Sequence, residues 1–246
     1  MTLLLIAALF ITACSSDDET VSTEENNNAL QYTKTTITID EVTSDFQLYE
    51  YQNSGRLFKI TQYADLGYST SEAFFEGDNR FPYRIVRSEY NQNQESIIRS
   101  DYFIELADNK LVLTDSQSPV VMEILFTGKY IDSELFSVTE TGFERETIFT
   151  RNSDNNLINQ TEGNELDITY SDFDTNHFKD PLGGAVSETN HILYALLDLE
   201  ESKNTPLTSE AFGVSQTTEL IYDGDYVVGY IEYDGSTEIL LEHTYE

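Results

Sequence analysis

From about residue 31 onward, polar and apolar positions alternate along the chain. Thr36-Ile37-Thr38-Ile39-Asp40 puts its apolar side chains on one face, as does Leu166-Asp167-Ile168-Thr169-Tyr170. Ile239, Leu241, His243 and Tyr245 form a looser set with the same period. A period of two is the signature of a half-buried strand. Between such runs stand Asn53-Ser54-Gly55, Gly77-Asp78-Asn79, Asp108-Asn109, Asp154-Asn155-Asn156 and Asp223-Gly224-Asp225. Asn, Asp and Gly tolerate the positive φ of tight hairpin turns. Strand, short turn and strand in repetition predict a mainly β fold, an antiparallel meander sheet that is curled or sandwich-like.

One segment breaks the period. Ile192, Leu193, Leu196, Leu197 and Leu199 form an apolar stripe at helical spacing, Ser187 can cap it, and Pro206 bounds it downstream. One helix is therefore expected near residues 187–200, as a cover for one end or face of the sheet. The polar stretch Glu200 to Thr208 reads as a loop, so residues 31–246 are expected to form a single antiparallel β domain.

The hairpins share a loose template of an aromatic, a polar turn and a strand. Tyr51-Gln52-Asn53-Ser54-Gly55-Arg56-Leu57-Phe58-Lys59-Ile60 is the clearest copy, and Tyr222-Asp223-Gly224-Asp225-Tyr226-Val227-Val228 is another. The template resembles the YD-type hairpin repeats of Rhs-like sheets. It also resembles the β-meander lipoproteins of Bacteroidota, a likeness that implies a fold and no activity. Spacing between copies is irregular, which excludes a strict solenoid.

The first thirty residues follow different rules. Leu3 to Ile11 is an unbroken apolar run, too short for the about 20 residues that a spanning helix needs, and suited to an export signal. Ile11-Thr12-Ala13-Cys14 resembles the lipobox of bacterial lipoproteins. The resemblance implies that residues 1–13 are a cleaved signal peptide and that Cys14 is lipidated. No Lys or Arg precedes Cys14, so the true start is expected upstream. Residues 14–30 are almost wholly polar and acidic and are expected to be a lipidated flexible tether. Ser15 directly after Cys14 resembles outer-membrane sorting, and Ser16-Asp17-Asp18-Glu19 resembles the export tract of Bacteroidota surface lipoproteins.

Charge narrows the partners. Thirteen basic against 45 acidic residues give a net charge of −32. That field repels nucleic acid and anionic lipid, so no nucleic-acid partner is expected. The single Cys excludes an intrachain disulfide, and the domain must stand on its core.

Few residues suggest chemistry. Asp172, Asp174 and Asn176 open with calcium-loop spacing, but His177 stands where the loop needs Gly and Gly183 where it needs Glu, so they are weak metal candidates. His177, His191 and His243 lack zinc-ligand spacing. No nucleophile elbow or phosphate-cradling loop occurs, and no cofactor is expected. Paired carboxylates could serve a hydrolase, but 45 acids nominate no particular pair. Tyr222, Tyr226, Tyr230 and Tyr233 are candidates for a ligand-stacking platform, against filling the core or pairing across strands. The sequence thus predicts an envelope-anchored lipoprotein of the outer membrane or cell surface, held to the membrane through Cys14. Its expected role is binding a glycan, a peptide or an envelope protein. The alternatives are an anchored hydrolase and a structural lipoprotein of an envelope complex. Replacing Cys14 by Ala is expected to abolish incorporation of labelled fatty acid, read by metabolic labelling; label retained in the variant overturns the lipidation assignment.

Overall fold

A computed structural model describes residues 31–39, 41–64, 66–163, 166–174, 191–224, 226–234 and 237–245. The expected export signal, the tether with Cys14, and Asn176, His177 and Ser187 lie outside these residues. The predicted alternation is realised as sixteen strands: β1 (Tyr32–Ile39), β2 (Val42–Tyr51), β3 (Leu57–Ala64), β4 (Gly67–Phe74), β5 (Arg84–Asn91), β6 (Ser96–Ala107), β7 (Lys110–Asp115), β8 (Val120–Thr127), β9 (Tyr130–Val138), β10 (Phe143–Arg151), β11 (Leu157–Glu162), β12 (Leu166–Phe173), β13 (Pro206–Ala211), β14 (Val214–Asp223), β15 (Tyr226–Asp234) and β16 (Thr237–Tyr245). One helix, α1 (His191–Leu196), lies between β12 and β13.

Each strand pairs antiparallel with its neighbours in sequence, so the meander is as expected. Its shape is not. β1 pairs with β16, Ile37 opposite Leu241, and the sheet closes into a barrel rather than remaining curled or sandwich-like. Alternation states which side chains share a face; it carries no information about whether the first and last strands meet, and they are about two hundred residues apart. Within the described residues the helix runs from His191 to Leu196 and so ends before the expected 200, while its expected start near 187 lies outside them. Leu197 to Leu199 leave it through a turn in which Asp198 has φ 53°.

Register fixes the two faces. One inner row runs Leu113, Met122, Phe136, Arg145, and another runs Leu111, Ile124, Glu134, Thr147, Glu162. Leu111, Leu113 and Ile124 are wholly buried, so this face is the interior. Outer rows interleave charged and apolar residues: Lys59, Glu72, Val86, Asp101 is one and Val112, Glu123, Leu135, Glu146 another.

The two ends of the barrel differ. The connection holding α1, the 75–83 loop and the chain ends lie at one end, with Gly128-Lys129 and the Asn152–Asn156 turn. There α1 packs against β3 and β4, and Leu193, Leu196, Leu197 and Leu199 are buried among inward side chains of the strands. A barrel of 16 strands is wide enough to leave an aqueous channel; this segment plugs one end of it. The other end carries short turns alone, and there the inward Phe143 and Arg145 are exposed. The barrel is a cup with a stopper at the end where the chain enters.

Leu197, with none of its surface exposed, anchors the stopper. Leu197→Ala is expected to destabilise the fold by about 2–5 kcal/mol, read by denaturant unfolding. Phe103→Ser, on the outer wall, is expected to change stability by less than about 1 kcal/mol.

Candidate functional site

Two places in the cup hold unusual chemistry: a carboxylate cluster under the stopper and the open rim. The first is built by the strap that follows α1. The Glu200 amide donates to the Lys129 carbonyl at 2.7 Å, and the Ile131 amide donates to the Glu200 carbonyl at 2.9 Å. Farther on, the Leu157 amide donates to Ser202 Oγ at 3.0 Å and the Lys203 amide to the Asn155 carbonyl at 2.9 Å. These bonds stitch the strap to the β8–β9 and β10–β11 turns. Arg80 adds a clamp from the 75–83 loop, donating to the carbonyls of Gly128 at 2.8 Å and Asp198 at 3.1 Å.

The strap thereby pushes Glu201 inside. Arg151 donates through Nε to the Glu201 carbonyl at 3.0 Å and through Nη1 to Asp132 Oδ1 at 3.0 Å. The Glu201 carboxyl itself is buried, and neither oxygen has a hydrogen-bond partner among the described residues. Glu134, from β9, is buried too and accepts the Tyr194 hydroxyl. Burial, and then repulsion from Glu134, push the Glu201 carboxyl up to about 8, against the pull of Arg151. Glu201 is therefore mostly protonated at neutral pH, which removes most of the cost of burying it.

A pair of buried carboxyls is the arrangement that a hydrolase would use. Here both lie beneath the stopper, with Tyr194 donating to one of them. The cluster is a polar joint between strap and barrel. Sequence reasoning missed it because Glu134 and Glu201 are ordinary among so many acids, and the strap alone brings them together.

The sequence-nominated tyrosines do not assemble into one platform. Tyr230 faces the interior, 9% exposed, with its ring 5.7 Å from that of His243. Tyr226 meets Tyr245 edge to face at 5.7 Å. Tyr222 donates its hydroxyl to Asp174. Tyr233 pairs in register with Thr217 of β14. The outer-wall aromatics that do line up are Tyr63, Tyr68 and Tyr90, adjacent in register. A Cβ on Gly67 would lie 2.0 Å from the Tyr90 carbonyl oxygen, so only glycine permits this close approach of β4 to β5. Tyr68 and Tyr90 stack at 4.5 Å with planes 8° apart, so they occupy each other's faces rather than offering a flat platform.

Asp172 and Asp174 are likewise occupied. Asp172 Oδ2 accepts from Ser171 Oγ and Thr208 Oγ1, each at 3.1 Å. Among the described residues no group of three or more His, Cys, Asp or Glu could hold a metal.

The open rim concentrates exposed apolar residues. Of the thirteen large exposed ones, Ile39, Val42, Leu66, Ile97, Ile98, Phe143, Phe212 and Val214 belong to turns or strand starts at this end. Between β11, β12 and β13 a groove of about 690 Å³ opens on the wall near the rim, lined in part by Asp167, Glu210 and Phe212.

No protein-family model matches this chain, and no curated protein matches it at a significant level. Among solved structures, the chain is similar to a porin-like protein from Bacteroides uniformis, with a TM-score of 0.43 and 14% identity over 87% of this chain and 98% of that one. It is similar also to a porin-like protein from Bacteroides vulgatus, with a TM-score of 0.45 and 11% identity over the same shares.

Glu201 makes stability depend on pH. Its folded pKa is raised above the unfolded value near 4.3. Its contribution is therefore fully present below about pH 4, where the group is protonated in both states. It is lost between about pH 4 and about pH 8, as ionisation favours the unfolded chain. Glu201→Gln is expected to raise Tm at pH 8 by several degrees and to leave it nearly unchanged at pH 4, read by thermal melts. An equal effect at both values would remove Glu201 as the source.

Proposed function

We propose that this chain is an envelope-anchored lipoprotein whose barrel stands in water and binds a protein partner with its open end. The carrying observation is the outer wall. A membrane barrel presents an apolar band about 25 Å tall, and a Lys or Arg at the midplane costs about 2–4 kcal/mol. This wall carries charge around its girth: the Glu50–Lys59 pair on β2 and β3, Arg84 with Asp101 on β5 and β6, Lys110 with Glu123 on β7 and β8, and Glu210 and Glu242 beyond. Several strands also have six or eight residues, short of the about 9–11 needed to cross.

The tether supplies the attachment such a barrel requires. Residues 14–30 lead into β1, which begins at the stoppered end. Lipid at Cys14 would hold that end nearer the membrane and leave the rim facing outward. Seventeen residues could span up to about 55 Å when extended, so the barrel would clear the headgroups. An apolar rim on a water-standing domain favours a protein partner over hydrolysis.

The Cys14→Ala variant distinguishes a water-standing barrel from one embedded in lipid. It is expected to purify without detergent as a folded, β-rich monomer, read by circular dichroism and sedimentation. Aggregation that only detergent reverses would overturn the proposal.

A further inference from the structure

The groove near the rim has a definable chemistry. Its walls come from three strands in register. Thr161 on β11 faces Asp167 on β12, and Thr169 on β12 faces Glu210 on β13, so both carboxylates stand on the outer face beside hydroxyls. Leu166 and the β13–β14 turn, Phe212 and Gly213, complete the groove. Asp167 and Glu210 are exposed; Asn159 Nδ2 donates to Asp167 Oδ1 at 2.5 Å, leaving its second oxygen open to a cation, and neither carboxylate is in an ion pair with a described residue. Of the twelve described Lys and Arg residues, only Arg87, Arg99 and Arg145 belong to the half of the wall toward the rim. Arg99 is paired with Glu89 and Arg145 with Glu162. The groove therefore offers negative charge and apolar surface without a cation of its own.

Phe212 is expensive where it sits. It is 79% exposed, and its φ is 52°, a left-handed conformation that bulky side chains rarely adopt. Val214 beside it is 63% exposed. Glycine would hold the same turn with less strain and less exposed apolar surface. Phe212 thus costs stability on two counts and gains no buried contact in the isolated chain.

We propose that this groove receives a Lys or Arg side chain on an apolar-flanked segment of a partner protein, with Asp167 and Glu210 taking the cation and Phe212 packing beside it. This rests on the reading of the barrel as a water-standing binding module. Complementarity of charge selects the occupant: two carboxylates with no cation beside them among the described residues, on a chain of net charge −32, repel an anionic partner and attract a cationic one. Phe212 adds apolar area and a ring face for the cation. A strand added by backbone pairing is excluded, because the closed barrel leaves no free edge.

The test uses full-length protein and a fluorescein-labelled peptide of alternating Arg and Leu, with a Glu–Leu peptide as counterpart. The Arg–Leu peptide is expected to bind, and the Glu–Leu peptide not to. Asp167→Asn with Glu210→Gln is expected to weaken binding about tenfold or more, a change of about 1.4 kcal/mol or more. Phe212→Gly is expected to weaken it comparably while leaving Tm unchanged or raising it, which a residue kept for folding would not do. Phe103→Ser, on another part of the wall, serves as the control. Equal binding of the two peptides, or variants that bind as the parent does, would overturn the groove assignment. If the groove variants fail this way while Cys14→Ala still yields a detergent-free folded barrel, the anchored-barrel reading survives and the groove alone is rejected.

Discussion

Closure is the constraint from which the remaining features follow. Once β1 pairs with β16, every strand has two neighbours and no backbone edge is left to water or to another chain. Closure at 16 strands sets a second requirement, because a circumference of that size encloses more space than a single layer of inward side chains fills. The chain meets it with the segment from Leu193 to Ser202, whose leucines occupy the stoppered end and whose backbone bonds to the β8–β9 and β10–β11 turns. Inward polar groups then had to satisfy one another. Tyr49 donates to Gln47 at 2.6 Å, Thr35 meets His243 at 3.0 Å, and Tyr170 donates to Gln160 at 3.1 Å. Such bonds offset the burial of groups that water would otherwise solvate.

The meander was legible because its signals are local. Alternation over 36–39 and 166–170 falls in β1 and β12, and Asp108 and Asn155 adopt the positive φ, 55° and 63°, that their residue types suggested. Closure was not legible, since Ile37 and Leu241 pair across the whole sequence and each would look the same in an open sheet. The helical stripe was read correctly as apolar cover, yet its C-terminal end was placed too late. Leu197 and Leu199 keep the stripe going after the backbone has left the helix, because the same apolar residues serve an irregular strap.

The site was less legible than the fold for a related reason. Tyr230 looked available, and only the pairing Leu220–Tyr230–Leu241 identifies its face of β15 as the inside. Asp167 and Glu210 were invisible as a pair because 42 residues, the strap among them, lie between them, while the strands that carry them share β12–β13 pairing. Phe212 offers no signal in sequence. Its exposure and its φ are properties of the folded turn alone.

Charge and shape together give the molecule a direction. Cations gather toward the stoppered half, where Lys59, Arg84, Lys110, Lys129 and Arg151 each hold an acid. Near the rim, exposed acids outnumber the arginines available to pair with them. Under the anchoring proposed above, an anionic surface would repel this chain most strongly through its least neutralised part, the rim. That repulsion would favour the same pose as an attachment ahead of β1, with the stopper toward the surface and the rim away from it. Salt weakens the electrostatic contribution as the Debye length falls to about 8 Å at physiological strength, whereas a covalent attachment would not depend on salt. The charge distribution and the proposed attachment therefore argue for one orientation, in which the apolar, acidic rim is the surface presented to a partner.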